Sequence, residues 1–181
     1  IIPECVETGL PPFNVMLQDF IGKAPLELVL ALDVPGFSLK DMAASRSQIG
    51  MKVSAHVKNK PMAEQIKLRE FLLPQINNYA ELRLTAMMTR SDIQGLITQQ
   101  EFGVHSYSHA NMAVESLDYF QADLIRCKEY FQDDLQSDVD IYAFPNGSYN
   151  HEQLELAHKS GYKHLLLVNE DFANHQTNAY N

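Results

Sequence analysis

The pattern of apolar and polar residues changes from segment to segment along the first half of the chain, and the successive segments predict strands and helices in turn. Residues 26–33 form a nearly continuous apolar run and predict a buried strand, and residues 51–57 alternate between apolar and polar side chains and predict a second strand. Between them, residues 38–48 suit a short helix, and residues 61–84 carry leucine, isoleucine and tyrosine near helical spacing. Residues 1–25, which contain several Pro and Gly, predict an irregular entry segment.

Two N-cap residues and one apolar stripe predict three helices in the second half. Thr89 has the character of an N-cap residue, with Asp92 in the reciprocal position three residues later. Residues 112–135 carry one apolar stripe at steps of three and four and predict the clearest helix of the chain. Asn150 is predicted to cap a last helix, which runs to about Ser160.

Three further strands are predicted at residues 102–104, 140–145 and 163–168. Because strands and helices alternate without a repeat or a linker, the sequence predicts one α/β domain over residues 1–181. Its parallel strands would be flanked by helices in an open sheet or a barrel. Both arrangements gather chemistry at the carboxyl ends of the strands. The polar features predicted to lie at such ends are Asp33, the His105–His109 pair and the Pro145-Asn146-Gly147 turn.

Composition narrows the function classes. The net charge of −9 argues against a nucleic-acid partner, which requires clustered Lys and Arg. No apolar run approaches the length of a membrane span. Two cysteines, Cys5 and Cys127, exclude a disulfide scaffold and a cysteine-rich zinc site but leave the compartment open. The start at Ile1, without Met, predicts a fragment or a processed product.

His105 and His109 form an H-x3-H pair directly after a short apolar run. Neutral imidazole is the commonest protein ligand for zinc and similar divalent cations. Two imidazoles on one short segment can take two corners of a tetrahedral site and leave room for water and a substrate oxygen. The same pair also occurs by chance, or on surface helices without a metal, so the flanking residues decide between the two interpretations.

Those flanking residues resemble the polysaccharide deacetylases (carbohydrate esterase family 4, the NodB homology domain). Residues 101–109, Glu-Phe-Gly-Val-His-Ser-Tyr-Ser-His, are similar to the second family motif, H-[ST]-x-x-H in a setting such as E-I-G-x-H-T-x-x-H. Residues 142–150, Tyr-Ala-Phe-Pro-Asn-Gly-Ser-Tyr-Asn, are similar to the third motif in the form F-A-Y-P-x-G-x-Y-N. Together with their flanks, these motifs cover roughly residues 88–168.

The resemblance implies a distorted or incomplete (β/α) barrel that removes N-acetyl groups from amino sugars of a polysaccharide or oligosaccharide. It implies one divalent metal ion on His105 and His109, zinc first and cobalt or nickel as alternatives. It also implies a substrate-binding role for Phe144, Pro145 and Asn146, with a backbone N–H of that turn facing the oxyanion. The resemblance also suggests a protein that is secreted or located in a bacterial cell envelope, although this chain shows no signal segment.

The first family motif, T-F-D-D, is represented by Ala31-Leu32-Asp33-Val34, which keeps one carboxylate. Aligned directly, Asp33 takes the place of the catalytic base, whereas a shift of one residue makes it the metal ligand, and both assignments stay open. The late Leu-x-His motif that supplies the acid has no convincing match. A non-catalytic relative that binds carbohydrate or metal is therefore the alternative function. A third possibility keeps the metal and changes the substrate to a small amide or a lipid-linked sugar.

Overall fold

The structure, a computed structural model, describes residues 1–39, 45–79 and 81–168. Its backbone divides into two units. Unit 1 comprises residues 1–9 together with the chain from Met88 onward, and unit 2 comprises Leu10–Met87. None of the helices formed by the described residues has the length and apolar character needed to cross a membrane.

Unit 1 contains helices and a small parallel sheet. Its elements in chain order are α1 (Pro3–Thr8), α6 (Arg90–Leu96), α7 (Leu117–Glu129), a π turn (Tyr130–Asp134), β1 (Ile141–Ala143), α8 (His151–Lys159) and β2 (His164–Leu166). Two short 3-10 turns, Met112–Val114 and Pro145–Gly147, follow the histidine segment and β1 respectively. The elements between α1 and α6 belong to unit 2 and are described below.

The sheet pairs β1 with β2 in parallel, with Tyr142 opposite Leu165. On the other side of β1, Val104 makes a single parallel bridge to Tyr142. The Val104 N–H donates to the Ile141 carbonyl at 3.0 Å, and the Ala143 N–H donates to the Val104 carbonyl at 2.8 Å. Three chain segments therefore run side by side in one direction, and the residues that follow each of them emerge at the same edge.

The core of unit 1 forms around α7. The apolar stripe of this helix buries Phe120, Leu124 and Cys127. The Phe120 ring packs edge-on against Tyr142 of β1, with ring centroids 5.6 Å apart. Tyr162, which precedes β2, lies at a centroid distance of 5.4 Å from Tyr142 and donates its hydroxyl to the Leu124 carbonyl at 3.1 Å. These aromatic contacts hold the helix against the strands.

Unit 2 is helical. Its helices are α2 (Phe13–Lys23), α3 (Leu26–Ala31), α4 (Arg46–Val57) and α5 (Met62–Asn77). The fully buried side chains Leu17 and Ile21 of α2 share one apolar cluster with Val53 of α4 and Leu72 of α5. Gly50 of α4 lies beside the α2 backbone, where an added Cβ would stand 3.4 Å from Gln18 Cα. The α2 backbone thus passes within van der Waals contact of this position.

Several predictions for the first half are wrong. Residues 26–31 form α3, and Leu32 and Asp33 follow it without regular structure, so the predicted strand is absent here. Leu, Glu and Ala strongly favour helices, and a short apolar run cannot tell a strand from a buried helix. Residues 51–57 belong to α4, which starts at a Ser45–Gln48 capping box upstream of the apparent alternation. The entry segment 1–25 is largely helical, in α1 and α2.

Other predictions hold in part or in full. The predicted helix over 38–48 falls partly on residues 40–44, outside the described residues. The helix predicted over 61–84 exists as α5 and ends at Asn77. The caps at Thr89 and Asn150 are confirmed, each as a complete capping box. The strands at 140–145 and 163–168 are confirmed as β1 and β2, while residues 102–104 contribute one bridge.

The established fold is therefore a helix-rich α/β structure with a small parallel sheet. Over the described ranges, regular pairing is confined to β1 and β2, so the predicted barrel is not shown. The helix expected over 112–135 is divided into a 3-10 turn, α7 and a π turn. The prediction of one catalytic domain over residues 1–181 stays a prediction.

Candidate active site

His105 follows Val104 at the carboxyl edge of the three parallel segments. Its Nδ1 lies 2.9 Å from the backbone carbonyl oxygen of Ala143, the last residue of β1. A carbonyl oxygen can only accept a hydrogen bond, so Nδ1 carries the proton and donates. In the neutral ring, Nε2 then keeps its lone pair, which is the form in which an imidazole binds a metal.

Burial keeps the His105 ring neutral. The ring is half-buried, and burial lowers its pKa from the usual 6.5, opposed by the hydrogen bond to the Ala143 carbonyl, which raises it. Removing a charged imidazolium from water is costly, and the neutral form avoids that cost. Near neutral pH, His105 is consequently ready to act as a ligand.

His109 lies beside His105. The centroids of the two rings are 4.9 Å apart and their planes meet at 69°. His109 has a positive φ of 62°, and Ser106, the residue after His105, has a φ of 61°. Non-glycine residues adopt this left-handed region rarely and at a cost. Because Ser106 and His109 both adopt this conformation, the segment between them folds back on itself, and the two imidazoles come to lie side by side.

Buried hydrogen bonds support this loop. The fully buried Ser106 donates its hydroxyl to Asp123 Oδ2 of α7 at 2.8 Å, and the Tyr107 N–H donates to the same oxygen at 2.9 Å. The Arg126 guanidinium stacks 3.6 Å from the centre of the Tyr107 ring. The loop is therefore fixed to α7 through both backbone and side-chain groups.

The turn after β1 contains the three predicted substrate-binding residues. Phe144 is 2% exposed, with its ring packed against Phe120, Tyr142 and Tyr149. Pro145 is also buried, whereas Asn146 is exposed with a φ of 59°. The structure thus gives the Phe144 ring a packing role and presents Asn146 to solvent. Contact of these residues with a substrate stays a prediction.

Asp33 lies in unit 2, between the end of α3 and the turn at Pro35 and Gly36, and is exposed. It does not end a strand, contrary to the expectation from sequence. Together with His56, Lys60 and Phe71, it lines a cavity of about 530 Å³ within unit 2. The histidine pair belongs to unit 1, and the assignment of Asp33 as base or metal ligand stays a prediction.

Comparison with known proteins finds a similarity to one family. The family described as Polysaccharide deacetylase matches residues 78–165, which include the histidine pair and the turn after β1. This segment is therefore similar to the polysaccharide deacetylase family. A solved structure, the Streptococcus pyogenes deacetylase PplD in complex with acetate, matches 88% of this chain and 72% of its own, with 19% identity and a TM-score of 0.45. No curated protein matches the chain.

Deacetylases are hydrolases, and the family implies a carbohydrate substrate. The matched range, residues 78–165, coincides largely with unit 1, where most of the predicted helices and strands are confirmed. Residues 10–77 lie outside the match and include Asp33. The family assignment therefore rests on the part of the chain that carries His105 and His109.

The centroid spacing of the two histidine rings is one that a shared metal ion allows, and it is also usual for edge-to-face ring packing. A tetrahedral zinc that holds two imidazoles at Zn–N distances of about 2 Å would set the ring centroids about 5 Å apart. The observed separation is 4.9 Å. A catalytic zinc usually has three protein ligands. Within residues 1–39, 45–79 and 81–168, no group of three His, Cys, Asp or Glu side chains is placed to hold an ion.

Sequence reasoning missed Asp123. It assigned α7 to core packing, and the only available signal was an aspartate on the same helical face as Cys127, four residues later. In the deacetylase segment this carboxylate is 4% exposed and accepts the hydrogen bonds from the histidine loop. A buried aspartate on an apolar stripe requires hydrogen-bond donors, and here the loop supplies them.

Proposed function

We propose that the chain is a metal-dependent deacetylase that hydrolyses N-acetyl groups on amino sugars of a polysaccharide or oligosaccharide. The observation that carries the proposal is the spacing of the His105 and His109 rings, 4.9 Å between centroids, in a segment of the polysaccharide deacetylase family. Within this proposal, the parallel segments at Val104, β1 and β2 are part of an incomplete (β/α) barrel whose carboxyl edge carries the site.

His105 and His109 would hold one divalent cation, with zinc the first candidate and cobalt or nickel as alternatives. When bound, such a cation polarises the acetamide carbonyl and lowers the pKa of a water molecule toward neutrality. The hydrogen bond from His105 Nδ1 to the Ala143 carbonyl orients the ring so that Nε2 is the coordinating atom. His109, whose ring lies 4.9 Å from that of His105 between centroids, is proposed as the second ligand.

The remaining roles follow from the reaction. Water adds to the carbonyl carbon, the C–N bond breaks, acetate leaves and the sugar amine takes up a proton. Asp33 is proposed as the base that accepts the proton of the attacking water, with the metal-ligand role as its alternative. A backbone N–H of the Pro145–Asn146 turn is proposed to stabilise the oxyanion. Pro145 has no N–H, so the N–H of the exposed Asn146 is the group assigned to this task.

Acetate release tests the proposal. The full chain is incubated with acetylated chito-oligosaccharides after addition of zinc or cobalt, and acetate is quantified. We expect turnover by the wild type and loss of turnover in His105→Ala and His109→Ala. His164→Ala is the matched control because His164 is exposed on β2 and forms no part of the pair. Absence of turnover on acetylated amino sugars with metal bound would contradict the proposal.

A second candidate function is a non-catalytic relative that binds carbohydrate. It is favoured by the Ala31-Leu32-Asp33-Val34 segment, which keeps one carboxylate where the resemblance implies two. Titration calorimetry with a chito-oligosaccharide separates the candidates. Glycan binding without acetate release, in protein that carries metal, supports the non-catalytic relative, whereas acetate release by the same sample excludes it.

A further inference from the structure

We infer that Asp123 of α7 is a positioning residue that holds His105 and His109 at the separation a shared cation requires. The functional part of this inference rests on the proposed metal site. The inference itself concerns a carboxylate that contacts the loop carrying both histidines and lies outside the H-x3-H motif. Neither the family match nor the sequence motifs assign it a role.

Asp123 divides its two oxygens between the loop and the core. Oδ2 accepts hydrogen bonds from the Ser106 hydroxyl and the Tyr107 N–H. Oδ1 accepts from the Tyr142 hydroxyl of β1 at 3.3 Å. The carboxylate therefore connects α7, β1 and the histidine loop. Two carboxyl oxygens have enough lone pairs to accept all three of these hydrogen bonds.

Ser106 extends the anchor to the far end of the loop. While its hydroxyl donates to Asp123, the same Oγ accepts from the Ala110 N–H at 3.1 Å. Ser106 follows His105 directly, and Ala110 follows His109 directly. One carboxylate and one hydroxyl thus fix the backbone immediately after each histidine, and the separation of the two imidazoles depends on both.

The backbone of the loop explains why an anchor is needed. Ser106 and His109 both adopt positive φ values, which a chain free of restraints populates rarely. Without acceptors for the Tyr107 and Ala110 N–H groups, the loop gains little from this shape and relaxes to ordinary φ values. Relaxation turns the His109 ring away from His105. Burial of Ser106 and Asp123, 0% and 4% exposed, keeps water from replacing the lost partners.

Two variants test the anchor. Asp123→Asn keeps the volume but offers one acceptor oxygen instead of two, and Ser106→Ala removes the hydroxyl that joins Asp123 to Ala110. Leu124→Ala is the matched control, because Leu124 is the next residue of α7, is fully buried and accepts through its backbone carbonyl from Tyr162 of the core. Glu129→Gln, which neutralises an exposed carboxylate on the same helix, controls for charge.

Two readouts separate positioning from stability. The first is zinc affinity by titration calorimetry: we expect Asp123→Asn and Ser106→Ala to bind zinc roughly 10–100-fold more weakly than wild type. The second is amide hydrogen exchange in metal-free protein: we expect faster exchange at Tyr107 and Ala110 and unchanged exchange at Val104, whose N–H bonds to β1. Leu124→Ala should lower the melting temperature and leave zinc affinity within about twofold of wild type.

Each outcome bears on the inference. Unchanged exchange at Tyr107 and Ala110 in both variants would overturn it, as would an equal loss of zinc affinity in Leu124→Ala. If the wild type binds neither zinc nor cobalt, the proposed function fails. The exchange measurement on metal-free protein would still show whether Asp123 fixes the loop, so the two failures can be distinguished.

Discussion

His105 donates a hydrogen bond from Nδ1 to the backbone carbonyl of Ala143, across 38 positions of sequence and 2.9 Å of space. The bond joins the residue after the Val104 bridge to the last residue of β1. It selects the tautomer of the ring and leaves Nε2 as the nitrogen without a proton. The candidate site is thus oriented by a strand end that the histidine motif does not contain.

This bond predicts the tautomer of the metal-free protein. We expect His105 to carry its proton on Nδ1, because the Ala143 carbonyl can accept only from a protonated nitrogen. Long-range ¹H–¹⁵N correlation spectra of the histidine rings distinguish protonated from unprotonated nitrogens. His164, exposed on β2, provides a reference ring. Protonation of His105 at Nε2 would show that the bond does not form in solution.

A second prediction concerns Gly103, which lies against β1. An added Cβ would stand 2.7 Å from Ile141 Cγ2 and 3.1 Å from the Ile141 carbonyl oxygen. We expect Gly103→Ala to lower the free energy of unfolding by about 1–3 kcal/mol, since the neighbouring segment must move. Gly95→Ala in α6, where an added Cβ meets nothing within 4 Å, should instead raise it by roughly 0.5–1 kcal/mol.

Urea unfolding measures both glycine variants, and a double mutant checks the cause. Ile141→Ala removes Cγ2, the nearest of the atoms that the new Cβ would meet, and keeps the Cβ and carbonyl oxygen of residue 141. If the clash causes the loss, Gly103→Ala should cost less in the Ile141→Ala background than in wild type. Additive effects of the two substitutions would point to another origin.

A third prediction concerns Gln153, which takes part in the N-cap of α8 and also bonds to the Met112 carbonyl. Asn150→Ala removes the side-chain oxygen that accepts from the Gln153 N–H at 2.9 Å and should cost about 1 kcal/mol, the usual effect of losing an N-cap. Gln153→Ala should cost more, by about 1–3 kcal/mol, because its Nε2 also donates to the Met112 carbonyl and leaves that group without its partner. Equal losses in thermal unfolding would contradict this ranking.

A fourth prediction follows from the pKa of Asp123. Burial raises it from 3.8 to about 6, while hydrogen bonds from Ser106, Tyr107 and Tyr142 and the charge of Arg126 oppose the increase. A raised folded-state pKa means that the folded protein holds the proton at pH values where the unfolded chain has lost it. This contribution to stability is complete below about pH 4 and is lost as the pH rises through about 6, by up to about 3 kcal/mol.

Unfolding of wild type and Asp123→Asn between about pH 4.5 and 7.5 measures this contribution. The wild type should lose stability relative to the variant as the pH rises. Asp19 and Asp140, whose pKa values are lowered, change stability in the opposite direction but are present in both proteins. A difference between wild type and variant that stays constant over this range would show that Asp123 is already ionised throughout.

The contrast between the two halves of the chain shows what sequence patterns can predict. Thr89 and Asn150 were predictable as caps because a capping box depends on residues three apart. The error over residues 26–33 has a different origin: Leu26–Ala31 is an apolar run too short to reveal its period. Its state depends on packing against other helices of unit 2, which the local sequence does not encode.

By itself, the sequence determined the H-x3-H pair, the Pro-Asn-Gly turn and the resemblance to the deacetylases, because each depends on residues near one another in the chain. Only the tertiary structure brought His105 to Ala143 and Ser106 to Asp123, contacts that span 38 and 17 positions. Such pairs form when strands and helices pack, since the cost of closing the intervening chain is met by burial of the whole core rather than by the pair alone.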